Sequence, residues 1–363
     1  MCDTECESTI WVVLTVDLSS VAFARFAVPG DGPGTWTGEE HPIGFAATQL
    51  VPSWTARTPP GAWIEIELRA RTASGTRTKW YVMGRWSEHG RPRTSVPGQG
   101  DGDGDVAVDT FVARRPVVAC QLRITRHGEG AHVTGLGVMA SALPRRPAAP
   151  RPARAAAHAG AVELAVPRYS QYAHTGHHPR WDGGGANWCS PASVAMVLGF
   201  WDRGPDPGEL AWVGADDPAP MVDHAAMGVY DESYQGTGNW AFNVAYAGRY
   251  GLAGFVTRLR SAAELERFVR AEIPVITSQS FTAGELPGAG YSTNGHILVV
   301  TGFTAGGDVV VNDPAAPVEA EVRRVYPRSA FERVWLGSRS SGGIVYVLHP
   351  PEHPLPPCTN GNW

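Results

Sequence analysis

The feature that most constrains this chain lies in its middle, the run LPRRPAAPRPARAAAHAG over 143–160. Proline fixes φ and removes an amide donor, so such a run fits neither a helix interior nor a central strand, and it has no apolar periodicity with which to join a core. It reads as a linker, semi-rigid where the prolines cluster. The 363 residues exceed the usual single-domain range, and each side of the run is long enough to bury a core of its own. The expected organisation is an accessory domain over 1–142, a linker over 143–163, a second domain over 164–350 and an irregular tail over 351–363.

The two sides differ in hydrophobic period. Before the run lie short alternating segments, TIWVVLTVDL, AWIEIELRAR, KWYVMGRW, DVAVDTFVA and ACQLRITRH, separated by Gly, Pro and Asp clusters. Alternation with frequent turns predicts an all-β antiparallel sandwich. The 43 glycines and 30 prolines, together about a fifth of the chain, favour the same turn-rich structure. After the run, helix-like stretches (SPASVAMVLGFW, NWAFNVAYAGRYG, SAAELERFVRAE) mix with strand-like ones (IPVITSQ, HILVVTGF, DVVVNDP, GIVYVLHP), which predicts an α+β domain.

Several function classes lose support at this stage. A net charge of -5 gives no electrostatic reason to expect nucleic acid or an anionic membrane. No apolar run approaches the roughly 20 residues of a membrane span. The opening MCDTECESTIWVVLTVDL is acidic, with no basic residue before Arg25, so no export signal is expected and the cytoplasm is the default location. The five cysteines, Cys2, Cys6, Cys120, Cys189 and Cys358, are odd in number and scattered, which is no disulfide framework. Cys2 and Cys6 have no neighbouring Cys or His cluster with which to hold a metal.

Cys189 is the residue that raises a chemical question. In ANWCSPASVAMVLGFW it precedes a run spaced like a helix, with Pro191 in the first turn and Val194, Val197, Leu198 and Trp201 on one face. A thiol there meets the positive end of the helix dipole and unpaired amides, which favour the nucleophilic thiolate. Such a nucleophile needs a base, and His296 opens two apolar runs flanking a Gly-Gly turn, read as a hairpin. A loop of even length puts His296 and Asp313 on one sheet face, whereas an odd loop substitutes Asn312. The expected constellation is Cys189 as nucleophile, His296 as base and Asp313 as its orienting acceptor. Gln171, in VPRYSQ, is the candidate side-chain donor to the oxyanion.

With VPRYSQ, NWCSPAS, GHILVVTGF and VNDPA around these four residues, the segment 164–349 resembles the stand-alone branch of the C39 family of papain-like cysteine peptidases. The resemblance implies a papain-like α+β fold, a central helix bearing Cys189, a sheet bearing His296 and Asp313, Gln171 as oxyanion donor, no cofactor, and a peptide or protein substrate. The leader-processing role of family members fused to a membrane exporter is not implied, because the chain has neither a membrane span nor a nucleotide-binding motif.

Other motifs carry weaker expectations. Trp188, Trp240 and Gly295 adjoin the site as candidate substrate-binding residues, although Trp240 beside Phe242 and Tyr246 also has core spacing. His174, His177 and His178 near Asp182 offer metal-ligand types, but HTGHHPRWDGGG reads first as a loop, and no metal is expected. Asp101, Asp103 and Asp105 alternate with glycine without the spacing of a calcium loop and read as a solvated turn. Trp36, Trp54, Trp63, Trp80 and Trp86 would suit glycan stacking, though in a sandwich most aromatics fill the core. The alternatives to a peptidase are a transpeptidase or acyltransferase using the same thiol, and a glycan- or protein-binding module.

Overall fold

The computed structural model describes residues 20–142, 160–214, 216–337 and 341–363. The expected strand TIWVVLTVDL, Cys2, Cys6 and the run 143–159 lie outside the described residues. The protein is mostly β, with two antiparallel sheets and a set of helices beside the second.

The first sheet holds β1 (Val21–Arg25), β2 (Gly34–Thr37), β3 (His41–Arg57), β4 (Trp63–Thr72), β5 (Tyr81–Trp86), β6 (Gly104–Ala107), β7 (Thr110–His127) and β8 (His132–Ser141). Its order is β1-β8-β3-β7-β4-β5, with β2 and β6 also on β7. A sandwich would divide these strands into two ladders, but here one antiparallel network joins all eight. The reason is the length of β3 and β7, 17 and 18 residues, which pair with each other through register shifts between Pro42 and Ala47 and between Ala47 and Gln49. Bulges bend a strand without ending it, so one ladder turns where two sheets were expected.

The second sheet has the order β10-β15-β11-β12-β13-β14, with β9 on β12. Its strands are β9 (Val162–Glu163), β10 (Ala253–Arg258), β11 (Val275–Phe281), β12 (Thr293–Phe303), β13 (Val309–Asn312), β14 (Arg323–Tyr326) and β15 (Ile344–His349). The helices are α1 (Cys189–Phe200), α2 (Pro207–Leu210), α3 (Pro220–Val229), α4 (Trp240–Arg249), α5 (Ala262–Arg270) and α6 (Arg328–Leu336). Local chemistry sets several starts: Asn239 Oδ1 accepts from Phe242 N at 3.1 Å to open α4, and Asp206 forms a capping box with Glu209 to open α2. No described helix is long and apolar enough to cross a membrane.

The two halves are packed together. One hydrophobic cluster contains Val51, Trp54 and Trp86 from the first sheet together with Val194, Val222 and Phe242 from the helices. Phe242 meets Trp54 and Trp86 with ring centroids 6.0 and 5.4 Å apart. A Cβ on Gly248 of α4 would lie 2.6 Å from Thr55 Cβ on β3, so glycine permits this close approach. Arg258 of β10 is buried and donates to Gln49 Oε1 of β3 at 2.7 Å and to Ser141 Oγ of β8 at 3.1 Å. The tail 351–363 has no helix or strand, yet its end is fixed: Trp363 is buried and Asn362 Nδ2 donates to Arg258 O at 3.0 Å.

Candidate active site

Cys189 is half-buried at the first position of α1. Trp188 precedes it as the cap residue with no side-chain cap hydrogen bond, so the first-turn amides keep free valence toward the cleft. Beyond the cysteine the helix is buried all round, from Ser190 to Leu198, with the α3 and α4 side and the sheet around it. The single apolar face expected from the sequence is therefore an underestimate, because a central helix has no solvent side.

His296 stands on β12 and Asp313 follows the last residue of β13. Near the turn Phe303 pairs with Val309, leaving Thr304 to Asp308, an odd number of residues, as the loop. That loop alone would align Asn312 with the histidine. A bulge between Val300 and Gly302 shifts the register by one, and beyond it Val299 pairs with Asn312. Asp313 thereby returns to the His296 face, and Asn312 points away, donating to Val166 O and Pro167 O at 3.2 and 3.0 Å. The expected pairing holds for a different reason than the even loop assumed above.

Short contacts hold the imidazole and the carboxylate together. His296 Nε2 lies 2.8 Å from Asp313 Oδ1. The other ring nitrogen remains for Cys189, which lines the same cleft as His296. Asp313 Oδ1 also accepts from Ala315 N at 3.0 Å, and Oδ2 accepts from Tyr291 and Tyr326 hydroxyls at 2.9 and 2.6 Å. Burial alone would lower the His296 pKa, but the Asp313 charge, its hydrogen bond and the Cys189 thiol outweigh that and raise it to about 10. Burial likewise works against the Asp313 charge, yet His296, Tyr326 and Arg324 hold its carboxyl well below the usual range. Nothing in the sequence around Tyr291 or Tyr326 marks them as partners of Asp313.

Gln171 opens a 3-10 turn, Gln171–His174, and is buried. Its Nε2 donates to Ala186 O at 2.5 Å, in the segment leading to Cys189, and its backbone N donates to Pro314 O at 2.9 Å, beside Asp313. The cleft above the thiol, about 520 Å³, is lined by Cys189, His296, Gly295 and Trp240 but not by Gln171. Trp188 is a correction: it is fully buried, with its Nε1 donating to Trp181 O at 2.8 Å, and so anchors the turn instead of meeting a ligand. The sequence also missed one wall of the cleft, made by Ala107, Val108, Asp109 and Thr110 of the β6–β7 hairpin in the first sheet. Asp109 Oδ2 accepts from Trp240 N at 2.7 Å, placing a carboxylate at the start of α4.

The remaining motifs resolve by contact. Asp182 is not grouped with the loop histidines, since its Oδ2 accepts from Thr237 N and Oγ1 at 3.0 and 2.9 Å. His174 and His177 instead meet Asp217 and Asp223, a pairing across forty or more positions that no local spacing reveals. Asp101 is engaged by the Tyr81 hydroxyl at 2.6 Å and Lys79 Nζ at 3.2 Å, in place of the solvated turn expected. Trp54 and Trp86 are core residues, and the Trp80 ring is in contact with the guanidinium groups of both Arg69 and Arg123.

Residues 32–141 match the family model described as Peptidase C39 N-terminal domain, and residues 163–342 match the Peptidase_C39 like family. No curated protein matches the chain. Among solved structures, a protein named as a C39-like peptidase from Bacillus anthracis shares 20% identity over 52% of this chain and 96% of that chain, with a TM-score of 0.33. A structure of the Gt strain of infectious bursal disease virus shares 10% identity over 33% of this chain and 29% of its own, with a TM-score of 0.19. Neither overlap is close enough to bear on the fold. With both halves matched in order by the two family models, the chain belongs to the C39-like peptidase family.

Proposed function

We propose that the protein is a cysteine peptidase of papain-like organisation that cleaves peptide bonds through Cys189, His296 and Asp313. The observation that carries this reading is an imidazole held 2.8 Å from a buried carboxylate, His296 to Asp313, with His296 and the Cys189 thiol lining one open cleft. The Cys189 thiolate attacks the scissile carbonyl carbon, and the amides at the start of α1 receive the developing oxyanion. In this reading Gln171 acts with one Nε2 hydrogen on Ala186 O, fixing the segment that enters the helix, and with the other as a further donor to the oxyanion. As the C–N bond breaks, imidazolium His296 gives its proton to the leaving amine, leaving a thioester on Cys189. Neutral His296 then takes a proton from water as that water attacks the thioester carbonyl, and Cys189 leaves as thiolate beside a reprotonated imidazole. Asp313 stays ionised throughout and holds the ring in place.

Two other described cysteines make the test discriminating. Burial pushes the Cys120 thiol up to about 12, so it is inert, whereas Cys358 is exposed and open to reagents. A thiol-directed affinity label is expected to abolish hydrolysis of a peptide library in step with modification of Cys189. Cys189→Ala is expected to be inactive and Cys358→Ser fully active. Hydrolysis that survives Cys189→Ala would overturn the assignment.

A further inference from the structure

We propose that His174, His177, Asp217 and Asp223 form a closed four-ligand site for a divalent transition ion of the zinc type, structural in role and separate from the thiol chemistry.

The four side chains offer ligand atoms that all lie within 4.8 Å of one another. A tetrahedral zinc with bonds of 2.0–2.2 Å spaces its ligand atoms about 3.3 to 3.6 Å apart. His177 Nδ1 lies 3.1 Å from Asp217 Oδ2 and 3.3 Å from Asp223 Oδ1, and His174 Nδ1 lies 3.6 Å from Asp217 Oδ2. The shorter contact of the group, 2.6 Å from His174 Nδ1, goes to the other Asp223 oxygen, Oδ2. Asp223 Oδ1 itself is buried and accepts no hydrogen bond among the described residues, although it faces His177. His178 Nε2 stands 3.9 Å from the same oxygen, outside the set.

Charge argues in the same direction. The side chains of Asp217 and Asp223 are 3% and 0% exposed, and no arginine or lysine pairs with either among the described residues. Two carboxylates withdrawn from water need compensating charge, which a divalent ion supplies in full. Imidazole together with carboxylate suits zinc, whereas calcium and magnesium prefer all-oxygen sets. Four protein ligands leave no open position, the mark of a structural site. The side chain of His177 is 36% exposed and gives the ion a way in.

The consequence is a clamp. His174 ends the 3-10 turn that Gln171 begins, while Asp223 lies in the first turn of α3 and Asp217 just before it. An ion shared by these segments ties the Gln171 turn to the helix layer. The full chain, purified without added metal, is expected to carry close to one zinc per molecule by elemental analysis. Chelation should lower its Tm and zinc should restore it, and cobalt loading should give the visible absorption of a tetrahedral site. His177→Ala should weaken zinc binding at least a hundredfold, while Cys189→Ala, inactive under the thiol reading, should bind zinc as the wild type does. Folded wild-type protein that takes up no stoichiometric zinc or cobalt by calorimetric titration, with no shift in Tm, would refute the site whatever the fate of the thiol.

Discussion

Asp313 accepts hydrogen bonds from His296, Ala315, Tyr291 and Tyr326, which makes it the most constrained acceptor in the site. Asp313→Asn preserves the shape but presents the imidazole with the wrong partner, and kcat is expected to fall on the order of 10³-fold with KM nearly unchanged. The protonation of His296 gives a second test. Its folded pKa of about 10 lies above the ordinary 6.5, so the imidazolium contributes stability that is complete below pH 6.5 and is lost as pH rises toward 10. The wild-type Tm should therefore decline across that window more steeply than that of His296→Gln, as scanning calorimetry at a series of pH values would record. The placement of Cys189 at a helix start and of His296 on a hairpin strand was legible from local pattern, whereas the choice between Asp313 and Asn312 was left to the loop. Tyr291 and Tyr326 were not legible, since a tyrosine that donates to a distant carboxylate looks like any core tyrosine. Trp188 misled for the converse reason: adjacency to a nucleophile along the chain does not decide which way a ring points.

The elements show where local pattern suffices and where it fails. Strands β4, β5 and β12 follow the alternating or apolar runs visible in the sequence, and α1, α4 and α5 follow its helix-like runs. The β12–β13 hairpin is the instructive case. Its loop is odd, and only the bulge between Val300 and Gly302 restores Asp313 to the histidine's side. Gly302, an isolated glycine within the apolar run HILVVTGF, is the local mark of that bulge, which loop length alone passes over. Tight element contacts supply a further prediction. A Cβ on Gly185 would sit 2.3 Å from His174 C and 2.5 Å from Gln171 O, both backbone atoms that cannot rotate away. Gly185→Ala is expected to cost about 1–3 kcal/mol of stability. It should also lower kcat about tenfold or more by displacing the Gln171 turn, with denaturant melts and steady-state kinetics as the measurements.

For the molecule as a whole, the change from an all-strand first half to a mixed second half was legible, but the intimacy of the two halves was not, because nothing in either half announces a surface meant for the other. The β6–β7 hairpin walls the cleft, and Asp109 reaches Trp240 N at the start of α4. Asp109→Ala removes that acceptor, so KM is expected to rise several-fold while kcat changes less than twofold. Equal loss in both would mean that the wall serves folding and not substrate. The shared cluster and the buried Arg258 bridge lead to one more expectation. If a specific cleavage site is inserted within 143–159 and cut, the two fragments should elute together on size exclusion and keep hydrolysing peptide. Separation into two inactive pieces would contradict it. Arg258 adds a directional element: its guanidinium donates across the seam to Gln49 and Ser141, bonds that only one alignment of the halves can satisfy, so the peptide connection serves the birth of the pair and the arginine its alignment.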